Sequence, residues 1–167
     1  MIKRLCILCT LILAMTSCST TTSSNKSSST QKGKASYLFV ILSNYGKIQQ
    51  APDGSWQLIL NHGDVEKVLA FSDRPYRLVE HMTGKDLQTI WTQGSNSFAD
   101  DPPNATVIIN QHLQTVILES MTVENDLTIF KIQADGEQSL VEMDGETQVF
   151  VDMSAADYRL WEDTGGL

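Results

Sequence analysis

The chain has 167 residues and a formal net charge of −8, with 20 acidic against 12 basic side chains. That length supports one core of ordinary domain size, and the acidic balance argues against binding nucleic acid or an anionic lipid surface, both of which repel a negative protein. Its three cysteines, Cys6, Cys9 and Cys18, all fall within the first 18 residues. Everything after Cys18 therefore lacks an internal disulfide, a thiolate metal site and a cysteine nucleophile.

The first residues have the zones of a secretory signal. Lys3 and Arg4 precede an apolar run over residues 5–15, broken only by Thr10. Those 11 residues would span about 17 Å as a helix, short of the roughly 30 Å of a hydrocarbon core. Thr16 and Ser17 are small enough for a cleavage pocket, and Cys18 follows. The run Met15-Thr16-Ser17-Cys18 resembles the lipobox of bacterial lipoproteins. The resemblance implies cleavage before Cys18, acylation of that cysteine (palmitate among the chains) and anchoring in the cell envelope. Met15 departs from the leucine commonest there. Ser19 stands where aspartate would retain such a protein in the inner membrane, which implies outer-membrane sorting in a cell that has one. Residues 1–17 are thus expected to be a signal peptide.

Residues 18–36 are expected to hold the lipidated cysteine and a flexible tether. Ten of the 16 residues in 19–34 are Ser or Thr and none is a large apolar residue, so burial cannot offset the entropy of ordering them. Random-coil scaling gives a reach of about 20–24 Å. Lys26, Lys32 and Lys34 give the tether +3 with no acid, whereas the chain from Ala35 holds all 20 acids against seven bases, or −13. Within it, residues 119–167 carry 12 acids against Lys131 and Arg159.

Residues 37–153 read as a β-rich domain. Residues 37–42 form a continuous apolar run suited to a buried strand. Pro52-Asp53-Gly54 marks a hairpin between residues 46–50 and a strand in which Trp56, Leu58 and Leu60 alternate with polar positions. Further strands are expected over 65–71, 106–110, 114–122, 127–132 and 147–153, with Asp135-Gly136 and Asp144-Gly145 as turns around residues 140–143. One helix is expected over about residues 83–93, capped by Thr83 with Asp86 and carrying the stripe Leu87, Ile90, Trp91 before Gly94. Residues 154–167 are expected to add a short helix or tail with Tyr158, Leu160 and Trp161 on one side. The expected class is mostly β: an antiparallel β-sandwich or open barrel of about eight short strands with one helix packed on it.

Two blocks in the middle stand out: Phe71-Ser72-Asp73-Arg74-Pro75-Tyr76-Arg77, and Phe98-Ala99-Asp100-Asp101-Pro102-Pro103-Asn104-Ala105. With Trp91 between them, they resemble a family of uncharacterised exported microbial proteins with an FSDRPxR … W … FADDPPNA pattern. The resemblance covers residues 71–105, implies a shared fold and transfers no activity. Physically, Pro75 holds Arg74 extended, and Arg74 or Arg77 is expected to fork onto Asp100 or Asp101. Asp73, Arg74, Arg77, Asp100, Asp101 and Asn104 are the candidate polar cluster, read either as a loop-pinning ion pair or as an anion site. Residues 100–104 lack the ligand spacing of a calcium loop. His62, His81 and His112 lack zinc-type spacing, so no metal and no cofactor are expected. No catalytic residue is identified, and no nucleophile elbow, phosphate loop or dinucleotide fingerprint occurs. The expected function is a membrane-anchored envelope lipoprotein whose domain binds a partner protein, a small ligand or a cell-wall component. The alternative is a hydrolytic envelope enzyme using the loops around Asp73 and Asp101.

Overall fold

A computed structural model describes residues 37–72, 77–93 and 97–153. Strand β1 (Tyr37–Gln50) is followed by β2 (Trp56–Asn61), the one-turn helix α1 (His62–Val65), β3 (Val68–Ser72) and β4 (Val79–Met82). Helix α2 (Gly84–Thr92) then leads to β5 (Asn104–Ile109), β6 (His112–Glu124), β7 (Leu127–Ala134) and β8 (Met143–Met153). All pairings are antiparallel. The order β2-β7-β6-β5-β8-β1, with β1 also paired to β2, closes six strands into a barrel, and β3 and β4 extend the sheet from β1. Among the described residues, no helix is long and apolar enough to cross a membrane.

Closure depends on one bent strand. The expected strands over 37–42 and 46–50 are a single strand, β1, whose register against β8 shifts between Ser43 and Gly46. Before the shift, one edge of β1 pairs with β3 through Tyr37 to Val40; after it, that edge pairs with β2 through Gly46 to Gln50. A bulge of this kind bends a strand and sharpens its twist. Glycine is required there. A Cβ on Gly46 would lie 2.5 Å from Thr147 Oγ1 and 2.6 Å from Leu60 Cδ2.

Helix α1 sits where β1 changes partners. Asp64 Oδ2 accepts from the Ser43 hydroxyl at 2.8 Å and from the Asn44 N–H at 3.2 Å, so a carboxylate satisfies backbone that no neighbouring strand reaches. This turn also shortens the strand expected over 65–71, which begins only at Val68. Residues 135–142, around the first expected Asp-Gly turn, form no strand, and Gly145 (φ 141°) lies inside β8 rather than in a turn.

The core fills the barrel from alternate positions: Phe39 and Ile41 of β1, Leu58 and Leu60 of β2, Phe130 and Ile132 of β7, and Val149 and Val151 of β8 are all buried. Helix α2 forms where the Thr83–Asp86 pattern places it. The Thr83 side chain accepts from the Asp86 N–H, and Asp86 accepts from the Thr83 N–H at 2.8 Å. Its Leu87, Ile90 and Trp91 are buried. Trp91 meets Phe98 edge-on at 5.1 Å and Phe130 at 5.5 Å, and Phe98 meets Phe39 at 6.5 Å, so the helix is pinned to the barrel through aromatic contacts. The expected C-terminal helix or tail lies outside the described residues.

Candidate functional site

The polar cluster expected from sequence is only partly within the described residues. Asp73 and Arg74 lie outside them, as does Cys18. Arg77 is exposed, with φ 52°, directly before Leu78. Asp100 and Asp101 are exposed on a turn after Phe98, where both N–H groups donate to the Ser97 carbonyl and the Ser97 hydroxyl donates to Asp100 Oδ2 at 3.1 Å. Arg77 makes no ion pair with either aspartate among the described residues, so the expected fork does not form through Arg77; Arg74 lies outside them. Asn104 opens β5 and lines a shallow groove with Leu38, Phe150 and Asp152.

A hydroxyl–imidazole–carboxylate chain does form elsewhere. His62 Nδ1 lies 3.0 Å from Thr128 Oγ1, and His62 Nε2 lies 3.2 Å from Glu66 Oε1. The spacing follows from one turn of α1, which puts residues four apart on one face. Thr128 is fully buried, so its hydroxyl is not presented to a substrate. The chain fastens α1 to β7 and satisfies a buried hydroxyl.

A groove of about 530 Å³ lies on the barrel rim, where β2 begins and β7 ends. Trp56, Ile132, Ala134 and Leu140 form its apolar part. Trp56 pairs in register with Ile132 and shares the inward face of β2 with Leu58 and Leu60, but sits at the strand end and stays partly exposed. The polar part comes from Ser55, Glu119, Lys131, Gln133, Gln138 and Ser139. Lys131 and Gln133 flank the buried Ile132 and therefore point outward on β7.

Glu119 reaches this groove because of a second bulge. Leu118 pairs with Ile132 and Ser120 with Lys131, leaving Glu119 as the extra residue. Its Oε2 meets Lys131 Nζ at 3.0 Å. Lys131 is exposed and Glu119 half-buried, and so solvent-accessible a pair contributes at most about 1 kcal/mol; its consequence is a locally neutral pair on a strongly acidic domain. Gln138 spends its amide N–H groups on the Thr115 carbonyl and hydroxyl and on the Asp135 carbonyl, which holds residues 135–142 against the barrel. Asp53, beside the groove, is held below the usual carboxylate range, first by the Ser55 hydroxyl and then by the Ser55 N–H.

Sequence reasoning placed Trp56 and Lys131 on strands but did not pair those strands with each other, because they are 75 residues apart. The available signal was Lys131 itself, one of two bases among 12 acids in residues 119–167. Among the described residues no group of three His, Cys, Asp or Glu side chains is placed to hold a metal. No family model, no curated protein and no solved structure matches the chain.

Proposed function

We propose that this protein is an envelope lipoprotein, anchored through acylated Cys18, whose barrel binds a ligand in the groove beside Trp56. The observation that carries the anchor is the sequence of a charged start, a short apolar run and Met15-Thr16-Ser17-Cys18, followed by a chain with no other cysteine. Two or more acyl chains give stable anchoring, whereas one gives only marginal binding. The groove supports the binding half: it combines an indole, an apolar floor and several polar groups at one concave place, as ligand sites do.

The reading does not require catalysis. The one hydroxyl–imidazole–carboxylate chain among the described residues ends on a buried threonine. Growth of the producing cells with an alkyne-tagged fatty acid tests the anchor. The wild-type chain should take up the label, and Cys18→Ala should lose it and leave the membrane fraction. Equal labelling of both chains would overturn the proposal.

A further inference from the structure

The outer side of the sheet is apolar over one continuous region. Successive side chains of a strand point to opposite faces. Tyr37, Phe39 and Ile41 are buried in the core, so Leu38, Val40 and Leu42 of β1 face outward. The strand register carries that face across four strands. Val79 of β4 lies opposite Phe71 of β3, and Phe71 lies opposite Leu38. In the next row Leu69 lies opposite Val40, and Val40 opposite Phe150 of β8. Leu38, Leu42, Phe71 and Val79 are 40%, 56%, 36% and 61% exposed. The water-facing side of an antiparallel sheet is ordinarily polar, and a contiguous apolar patch of this kind marks an interaction site.

Its size and its place in the chain select the occupant. Four strands about 4.8 Å apart, with five residues at about 3.3 Å along each, give a face of roughly 300 Å². A stable dimer buries about 800 Å² on each partner, so this face is too small to hold a second copy by itself. A segment of the same chain needs less area, because its docking costs no translational or rotational freedom of a second molecule. Strand β8 ends at Met153, opposite Tyr37, and Asp152 lies opposite Leu38. The chain therefore leaves the barrel at the border of the apolar face. Residues 154–167 follow, with Tyr158, Leu160 and Trp161 among them. Those 14 residues reach about 21 Å even as a helix, against about 14 Å from β8 across β1 and β3 to β4. Charge agrees: exposed Asp152 borders the face, and Arg159 is the one base of residues 154–167. We propose that residues 154–167 fold back over the outer face of β8, β1, β3 and β4 and cover it with Tyr158, Leu160 and Trp161.

The segment then closes the shallow groove lined by Leu38, Asn104, Phe150 and Asp152. It is a contact separate from the groove beside Trp56, which lies by Gln50 at the other end of β1.

Photocrosslinking of the full-length chain tests the contact. Whole cells producing the chain with p-benzoylphenylalanine in place of Trp161 are irradiated, and the adducts are mapped by mass spectrometry. Adducts within one chain, on residues of β1, β3 or β4, are expected. Val79→Asp, at an exposed position that the core does not use, should lower their yield about five-fold. Thr122→Asp, exposed on the far strand β6, should leave the yield unchanged. Adducts chiefly on lipid, on a second copy, on another protein or on β6 and β7 would each overturn the proposal, as would an unchanged yield in Val79→Asp or no adduct at all. Irradiation of whole cells reads this contact whether or not Cys18 is acylated, so a failure here leaves the anchor standing, and a failure there leaves this contact standing.

Discussion

Single side chains do unlike work in this barrel, and their substitution should show it. Trp91 is buried with an indole N–H that has no hydrogen-bond partner among the described residues. Leaving a donor unpaired costs about 1–3 kcal/mol, so its aromatic packing against Phe98 and Phe130 must outweigh that loss. Trp91→Ala should lower stability by about 3–5 kcal/mol, and Trp91→Phe by clearly less, since it sheds the orphan donor and keeps an aromatic ring; denaturant titration distinguishes them. Asp64 is the second case. Asp64→Ala leaves the buried Ser43 hydroxyl and the Asn44 N–H without their carboxylate, and should cost about 1–3 kcal/mol by the same measurement. Asp53 is the third. Its folded-state pKa is lowered from 3.8 by Ser55, so its contribution is present above the unfolded value and is lost as pH falls through the lowered one. Asp53→Asn should therefore flatten the acid limb of the stability profile, with the loss of stability seen at neutral pH and little difference below the lowered value.

At the level of elements, turns and bulges set the register, and sequence revealed some of them better than others. The cap Thr83–Asp86 and the stripe Leu87, Ile90, Trp91 were legible because a helix writes its boundaries and its buried face locally. The alternation of β2 and β7 was legible for the same reason. The continuity of β1 was not: residues 43–46, Ser-Asn-Tyr-Gly, look like a turn, and only the pairing of β1 with β3, β8 and β2 keeps them extended. Nor was β4 legible, since four residues of mixed polarity carry no period. Two tight hairpins turn on left-handed residues, Asn125 and Asp126 between β6 and β7, Asn110 and Gln111 between β5 and β6. Asn and Asp accept that conformation easily, whereas Gln111 at φ 70° does not. Gln111→Gly should therefore raise stability by up to about 1 kcal/mol. Gly46→Ala should do the reverse, by about 1–3 kcal/mol, because Thr147 and Leu60 occupy the space a Cβ needs. Thermal melts of the pair give opposite signs.

For the whole molecule, closure of the barrel decides what can be a site. It pairs both edges of β2 and sets Trp56 opposite Ile132, a juxtaposition that neither local periodicity nor charge counting reveals. The candidate cluster was drawn from two blocks of sequence, residues 71–77 and 98–105; of its described members, Asp100 and Asp101 sit on an exposed turn that Ser97 organises, while Arg77 and Asn104 lie elsewhere. The chain from Ala35 carries −13, a surplus that an anionic lipid surface repels. The central claim is that this barrel is delivered to the envelope and held there by Cys18. Intact-mass spectrometry of the full-length gene product, purified from the membranes of producing cells, tests it most directly. The account predicts a chain that begins at Cys18 and carries acyl mass on that residue. A membrane-purified chain that retains residues 1–17, or one whose Cys18 is unmodified, would contradict it.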